Sequence, residues 1–293
     1  MCASEIKRAV NSFKPDIIHA HDVRVTVLTA MVSGKIPFIS HLHVNNTDMQ
    51  KPGLKPFLYM FAVKRAKKLI VVSESCLSQY IFKKQIEEKT IHLRNIVYTP
   101  RIERLFTKDP LNYKFDFAYI GRISYPKNPE RVARVASSVL KLCPDAKFGV
   151  IGDGELRSEM EVVFRKEGVI ERVVFTGNLP YPYKALKQAK CMLMCSRYEG
   201  TPIVALEAMT LGVPIVSTPV DGLNEIISDG FNGYLSDDDA RLCSSVVELI
   251  VNLDMQRRCS LNAIKVAQHI NNISNYKNTL ISIYDEAIQN NIL

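Results

Sequence analysis

Two glutamates set eight residues apart mark the stretch with the most chemistry in it, SRYEGTPIVALEAM at residues 196–209. Glu199 closes an apolar run that reads as a strand, and Gly200 permits a tight turn. Thr201 suits a helix N-cap and Pro202 the first helical position. The backbone amides of Ile203, Val204 and Ala205 would then lack intrahelical partners. Together with the helix dipole they would make an anion site suited to phosphate. Glu207, four residues past Ile203, shares that face one turn further in. A carboxylate there repels phosphate but accepts hydrogen bonds from paired sugar hydroxyls. The plain alternative is a surface helix with two solvated glutamates.

Cations stand at a second strand end, in GRISYPKNPERV: Gly121, then Arg122, with Lys127 five residues on and just ahead of a helix. Arg presents a planar fork to phosphate oxygens and Lys a point charge, although two exposed loop cations would read the same way. IGDGE (151–155) and FTG (175–177) put glycines at two further strand ends, where a backbone can approach a planar or phosphate ligand closely; GxGxxG is absent. HAHD (19–22) and HLHVNN (41–46) each close a strand with a His-x-His pair, whose two rings share a strand face. By residue type His19, His21, His41 and His43 would suit a metal. The expectation is instead one working histidine among packed ones, with no bound metal. SDDDA (236–240) reads as a solvated loop capping the next helix.

These residues need parallel α/β units to position them, and apolar runs alternating with helical patterns supply such units. In the first part, helices are expected near 3–13, 24–33, 54–67 and 75–85, with strands at 16–20, 37–42, 69–73 and 91–93. Residues 98–114, polar with two prolines, read as a linker. The second part reads as five strand–helix steps, from FDFAYIGR to GLNEIISDG, followed by helices at DDARLCSSVVELIVN and 275–290. In open parallel sheets, ligands bind beyond the carboxyl ends of the strands.

Composition fits this picture: 47% hydrophobic and 23% charged residues over 293 positions allow two ordinary domains. No apolar run reaches the roughly 18 residues of a membrane span. MCASEIKRAV lacks the apolar core of a signal peptide, and the seven cysteines show no CxxC pair. A cytoplasmic protein with buried, reduced thiols is therefore expected. The net charge of +8 is unevenly spread: residues 1–110 hold 18 Lys and Arg against 9 Asp and Glu, and the remainder 20 against 21. Such asymmetry suggests an anionic partner for the first part. Within LKPFLYMFAVKRAKKLIVV (54–72), Leu54, Phe57, Leu58, Phe61 and Ala62 form a helical stripe. Lys64, Arg65, Lys67 and Lys68 follow it. This suits an anionic membrane surface, or ordinary core packing with solvated lysines.

In this order and at these intervals, GRISYPKNP, VIGDGE, VVFTG and SRYEGTPIVALEAMTLGVPIVSTPVDGLNEII resemble glycosyltransferase family four, the group 1 retaining enzymes. The likeness runs over essentially the whole chain. It implies an α/β GT-B fold of two Rossmann-like domains facing across a cleft, the first incomplete. Residues 1–108 would form the acceptor-side domain, 109–274 the nucleotide-sugar domain, and 275–293 a helix crossing back to the first. It also implies roles. Arg122 and Lys127 would grip the donor pyrophosphate and Glu207 the ribose hydroxyls. Glu199 would contact the donor sugar, while Gly121, Gly200, Thr201 and the amides of Ile203 and Val204 hold sugar and phosphate. Gly154 and Gly177 would border the nucleobase, and His43 would stand beside the reacting carbon.

The implied activity is metal-independent transfer of a hexosyl unit from a UDP- or GDP-sugar to a glycan or lipid-linked acceptor, with no cofactor and no nucleic-acid partner. Two departures stand out. Roughly 70–100 residues of the usual start, including a glycine-rich loop, are not found, so the family's acceptor site is incomplete in this sequence. Pro202 stands where many members carry glycine. A non-catalytic partner that still binds nucleotide-sugar, or a nucleotide-sugar epimerase, remains the alternative reading.

Overall fold

The computed structural model describes residues 2–43, 47–78 and 80–289, so Val44, Asn45 and Asn46 of the HLHVNN stretch lie outside the described residues. The chain forms two compact units, Met1–Asn95 with Ile273–Leu293, and Ile96–Asn272.

The first unit contains the strands β1 (Ile18–His21), β2 (Phe38–Leu42), β3 (Lys68–Val71) and β4 (Thr90–His92), and the helices α1 (Ala3–Phe13), α2 (Asp22–Val32), α3 (Leu54–Arg65) and α4 (Ser75–Ser78). The strands pair in parallel in the order β1-β2-β3-β4. Alternation sends Leu69 and Val71 to a core with Tyr59, Met60 and Val63 of α3. Ile70 and Ile39 go to the opposite face, against Ile283 and Ala287 of the chain's last helix.

The second unit contains α5 (Thr99–Phe106), β5 (Phe117–Ile120), α6 (Pro129–Leu142), β6 (Phe148–Ile151), α7 (Arg157–Lys166), β7 (Val173–Gly177), α8 (Tyr183–Gln188), β8 (Cys191–Met194), α9 (Ile203–Thr210), β9 (Ile215–Ser217), β10 (Gly233–Leu235), α10 (Asp239–Val251) and α11 (Leu253–Ile270). The final helix, α12 (Ile273–Gln289), belongs to the first unit. The second sheet is wholly parallel, in the order β10-β9-β8-β5-β6-β7. Numbered within the unit, this is the doubly wound order 3-2-1-4-5-6 read from the other edge, so the order reverses between β5 and β8. Phe117 and Tyr119 of β5 face the α6/α10 core, and Ala118 and Ile120 face the core under α8, α9 and α11.

Several elements differ from the sequence expectation. The supposed linker carries α5, whose Ile102 is buried and which packs on α8. The helix expected at 75–85 stops at Ser78 and gives way to a single 3-10 turn at Lys83–Gln85. GLNEIISDG holds only a 3-10 turn at Asp221–Leu223, after which the short β10 forms. α11 has no counterpart in the expected elements because its buried stripe is made of small residues, Cys259, Ala263 and Ala267, which periodicity barely registers. In the SDDDA loop, the Asp238 side chain accepts from Ala240 N at 2.9 Å and caps α10. The disposition of α3 is the reverse of the core-packing reading. Pro56, Tyr59, Met60, Ala62 and Val63 are buried, whereas Leu54, Phe57, Leu58 and Phe61 are exposed, Leu54 by 74%.

Candidate functional site

The point where strand order reverses, between β5 and β8, is where an open parallel sheet offers a crevice. The loop after β5 carries Gly121, Arg122 and Lys127; the loop after β8 carries Glu199, Gly200 and Thr201. Lys127 Nζ lies 2.5 Å from Glu199 Oε1, and Ser196 Oγ donates to the same oxygen at 2.7 Å. The lysine is 22% exposed and the glutamate 9%, so this is a largely desolvated ion pair at the switch point. The Arg197 guanidinium sits 4.2 Å from the Tyr125 ring centroid and donates to Tyr125 O at 2.6 Å, while Arg197 N donates to Pro126 O. These contacts tie the two loops together and hold Lys127 against Glu199. The sequence reading missed Ser196, Arg197 and Tyr125. Ser196 and Arg197, three and two residues ahead of Glu199, lay within reach of a local signal; Tyr125 did not.

Arg122 is placed differently from its expected partner. Its side chain is 74% exposed and pairs with Glu155 at 3.1 Å, away from the Lys127–Glu199 pair. Its carbonyl accepts from the Tyr119 hydroxyl, which burial pushes to a raised pKa. An exposed ion pair of this kind contributes about 1 kcal/mol or less, so Arg122 is free to exchange Glu155 for another anion.

The start of α9 departs from the sequence expectation by one residue. Pro202 is the N-cap and Thr201 stands outside the helix, buried. Ala205 N donates to Pro202 O at 3.0 Å, so it is not one of the free amides. The free donors among the described residues are Ile203 N and Val204 N. The reason is steric and electronic: proline has no N–H of its own, but its carbonyl closes the first turn. Behind the Gly200 turn, Gly222 N donates to Gly200 O at 3.1 Å, and a side chain at Gly222 would meet that oxygen at 2.3 Å.

Glu207 is half-buried, and the Tyr183 hydroxyl donates to its Oε1 at 2.9 Å. Burial raises the Glu207 carboxyl above the ordinary range, and the Tyr183 hydrogen bond offsets part of this. Tyr183 is a further residue the sequence reading missed; it heads the short α8, 24 positions from its partner.

Two glycines of the IGDGE turn, Gly152 and Gly154, lie hard against the protein's own backbone. A Cβ at Gly154 would stand 2.3 Å from Ile123 O, and one at Gly152 would stand 2.1 Å from Gly121 O with φ at +133°. The loop after β5 therefore packs directly on the backbone of Gly152 and Gly154. Gly177, at φ +67°, faces open space. Gly152→Ala should cost at least about 2 kcal/mol of stability, and Gly177→Ala only about 1 kcal/mol. Urea midpoints at unchanged slope measure both, and equal losses would refute the assignment of Gly152 to backbone packing.

In the first unit, register pairs β1 with β2 so that His21 stands opposite His41. His19, His21, His41 and His43 stack on the sheet face that carries α12: the His41–His43 centroids are 4.1 Å apart and the His19–His21 centroids 4.4 Å. The Tyr284 hydroxyl meets His19 Nδ1 at 2.7 Å, His19 Nε2 meets His41 Nδ1 at 3.2 Å, and His21 Nδ1 meets His43 Nε2 at 2.7 Å. Burial depresses His41 to about 2 and His19 to about 4, and lowers His43 as well. Asp22 adopts φ +64° and its carboxylate accepts from His43 N at 3.1 Å, which fixes the strand end. His41 Nε2 is buried without a partner among the described residues, an omission that costs about 1–3 kcal/mol.

A family model described as "Glycosyl transferases group 1" matches residues 102–266, more than half the chain, and one described as "Glycosyltransferase Family 4" matches residues 2–99. The chain belongs to the group 1 glycosyl transferases. An uncharacterized glycosyltransferase of Methanocaldococcus jannaschii is 26% identical over 251 residues, covering 78% of this chain and 62% of that protein. The UDP-Gal:alpha-D-GlcNAc-diphosphoundecaprenol alpha-1,3-galactosyltransferase of Escherichia coli is 25% identical over 242 residues, covering 76% and 62%. The chain thus spans about three fifths of the length of these two relatives. Among solved structures, Anabaena HepE in complex with UDP and glucose superposes with a TM-score of 0.83 at 17% identity, covering 96% of this chain and 80% of that one. The fold is accordingly GT-B, with a parallel sheet in each of the two α/β units.

Proposed function

We propose that this group 1 glycosyltransferase moves a hexosyl unit from a UDP- or GDP-sugar to a glycan or lipid-linked acceptor, with retained anomeric configuration and without a metal. The observation that carries the reading is the Lys127–Glu199 ion pair at the switch point of the second sheet. The Escherichia coli relative, named for a UDP-Gal donor and a diphosphoundecaprenol acceptor, supports the choice of substrates.

Departure of a nucleoside diphosphate builds negative charge on the leaving oxygens while the anomeric carbon becomes cationic. Lys127, a swung Arg122 and the amides of Ile203 and Val204 supply preorganised positive charge for that anion. Glu207 accepts hydrogen bonds from the ribose hydroxyls. Glu199 contacts the donor sugar and holds Lys127 in place, and Gly177 borders the nucleobase. The family resemblance assigns His43 the orientation of a sugar hydroxyl or of the acceptor. Sugar transfer or donor hydrolysis assayed in excess EDTA tests the reading. Activity should persist; activity lost with EDTA and restored by Mg²⁺ or Mn²⁺ would sink the metal-independent mechanism.

A lipid-linked acceptor is presented at a membrane, and α3 suits that surface. Its exposed Leu54, Phe57, Leu58 and Phe61 run beside Lys55 and lead to Lys64 and Arg65. Among the described residues no helix is long and apolar enough to cross a membrane. Each basic residue near an anionic headgroup layer contributes about 1 kcal/mol. Co-sedimentation with vesicles should therefore rise with anionic lipid, fall with salt, and weaken in a Phe57→Ser, Phe61→Ser double variant. Equal recovery on neutral and anionic vesicles would rule out this contact.

A further inference from the structure

The imidazole stack of the first unit does more than pack. His19, His21 and His41 each offer a ligand nitrogen, and the three lie within 4.8 Å of one another. We propose that these three histidines bind a borderline transition-metal dication of the Zn²⁺ or Ni²⁺ class. The site lies wholly in the first unit and does not depend on the donor-site reading.

Geometry supports the first two ligands directly. His19 Nε2 and His41 Nδ1 stand 3.2 Å apart. A metal at about 2.1 Å from each would subtend roughly 100° there, between octahedral and tetrahedral values. The Tyr284 hydroxyl on His19 Nδ1 turns Nε2 inward and fixes the ring, as outer partners of metal-bound histidines do. Parallel pairing of β1 and β2 sets His21 opposite His41, so the third ring is placed by sheet register rather than by a loop. His21 is exposed and gives the ion its way in.

The chemistry of the donors decides the metal. All three are nitrogens, and the nearby Asp22 carboxylate accepts from His43 N. An all-imidazole set favours Zn²⁺, Ni²⁺ or Cu²⁺ over Mg²⁺ or Ca²⁺. The other His41 nitrogen, Nε2, is buried without a partner among the described residues. Three protein ligands leave the remaining positions to water.

Calorimetric titration with Zn²⁺ tests this on the full chain, without an affinity tag and with Cys2→Ser, because Cys2 is the exposed thiol among the free cysteines. One Zn²⁺ should bind per chain and raise the thermal midpoint, and Mg²⁺ should do neither. His21→Ala should weaken binding at least about tenfold. Tyr284→Phe should weaken it by about tenfold while leaving all three ligands in place. A melt of each variant without metal checks that it folds. Co²⁺ should give the visible bands of a nitrogen site with no thiolate charge transfer. Failure of Zn²⁺ to bind, or full affinity in His21→Ala, would overturn the proposal, as would thiolate bands with Co²⁺.

Discussion

Lys127→Ala should lower sugar transfer by about 100- to 1,000-fold, a loss of about 2.7–4 kcal/mol of transition-state stabilisation, with a much smaller change in nucleotide affinity. The lysine is the cation that the fold holds most firmly at the switch point, since Glu199, Ser196 and the Arg197–Tyr125 stack all fix its position. Charge that appears only as the diphosphate leaves is what such a preorganised group stabilises, so the effect falls on kcat. The substitution has a second consequence. It removes the cationic partner of Glu199, 9% exposed, and leaves the carboxylate the Ser196 hydrogen bond; breaking a buried pair from one side costs about 3 kcal/mol of stability. A Lys127→Ala, Glu199→Gln double variant should recover most of that stability and none of the transfer. Arg122→Ala, which removes a side chain that is 74% exposed, should cost less transfer than Lys127→Ala and little stability. Kinetics and thermal melts on the four proteins separate the two effects. Recovery of transfer in the double variant would show that Lys127 acts only by neutralising Glu199.

Glu207→Gln should weaken UDP or GDP binding by roughly tenfold or more, since a charged acceptor that meets sugar hydroxyls contributes about 1.5–3 kcal/mol. The same change should leave the free protein at least as stable as before. Burial raises the Glu207 carboxyl in the folded state. The folded protein thus holds that proton more tightly than the unfolded chain. The carboxyl's contribution to stability is most favourable below its unfolded pKa and falls as pH rises through the higher folded value. At neutral pH the ionised group is therefore a burden on the free fold. Glutamine removes the burden and keeps an acceptor for Tyr183, 2.9 Å away in the parent. Nucleotide affinity in the parent should also decline on acidification at a higher pH than an ordinary carboxylate would give, and the variant should lack that step. Calorimetric titration across pH, beside melts at pH 7, checks both. Unchanged affinity in Glu207→Gln would remove the ribose role.

Local pattern was enough to read the alternating α/β elements, the strand ends bearing Arg122 and Glu199, and the family. Those signals live within a few residues of one another: an apolar run, a glycine, a proline, a helical stripe. It was not enough for α5 and α11. The first starts at a proline-bearing polar stretch, and the second buries only cysteine and alanine. Nor could spacing tell whether the glycine at 154 admits a ligand or the carbonyl of Ile123, because that depends on how β5 and β6 align.

Sequence by itself determined which residue types stand at the carboxyl ends of the strands, because a strand, its turn and the next helix are each written in consecutive residues. Only the tertiary structure decided which of those residues meet. Lys127 and Glu199 are 72 positions apart and touch because β5 and β8 are neighbours at the reversal of strand order. Arg122, five residues from Lys127, turns instead to Glu155. His19 meets His41 diagonally because β1 and β2 pair with His21 opposite His41, and Tyr284 reaches His19 from 265 residues away. Pairing of this kind follows from burying two faces of a sheet at once, and that global condition appears in no single stretch of the chain.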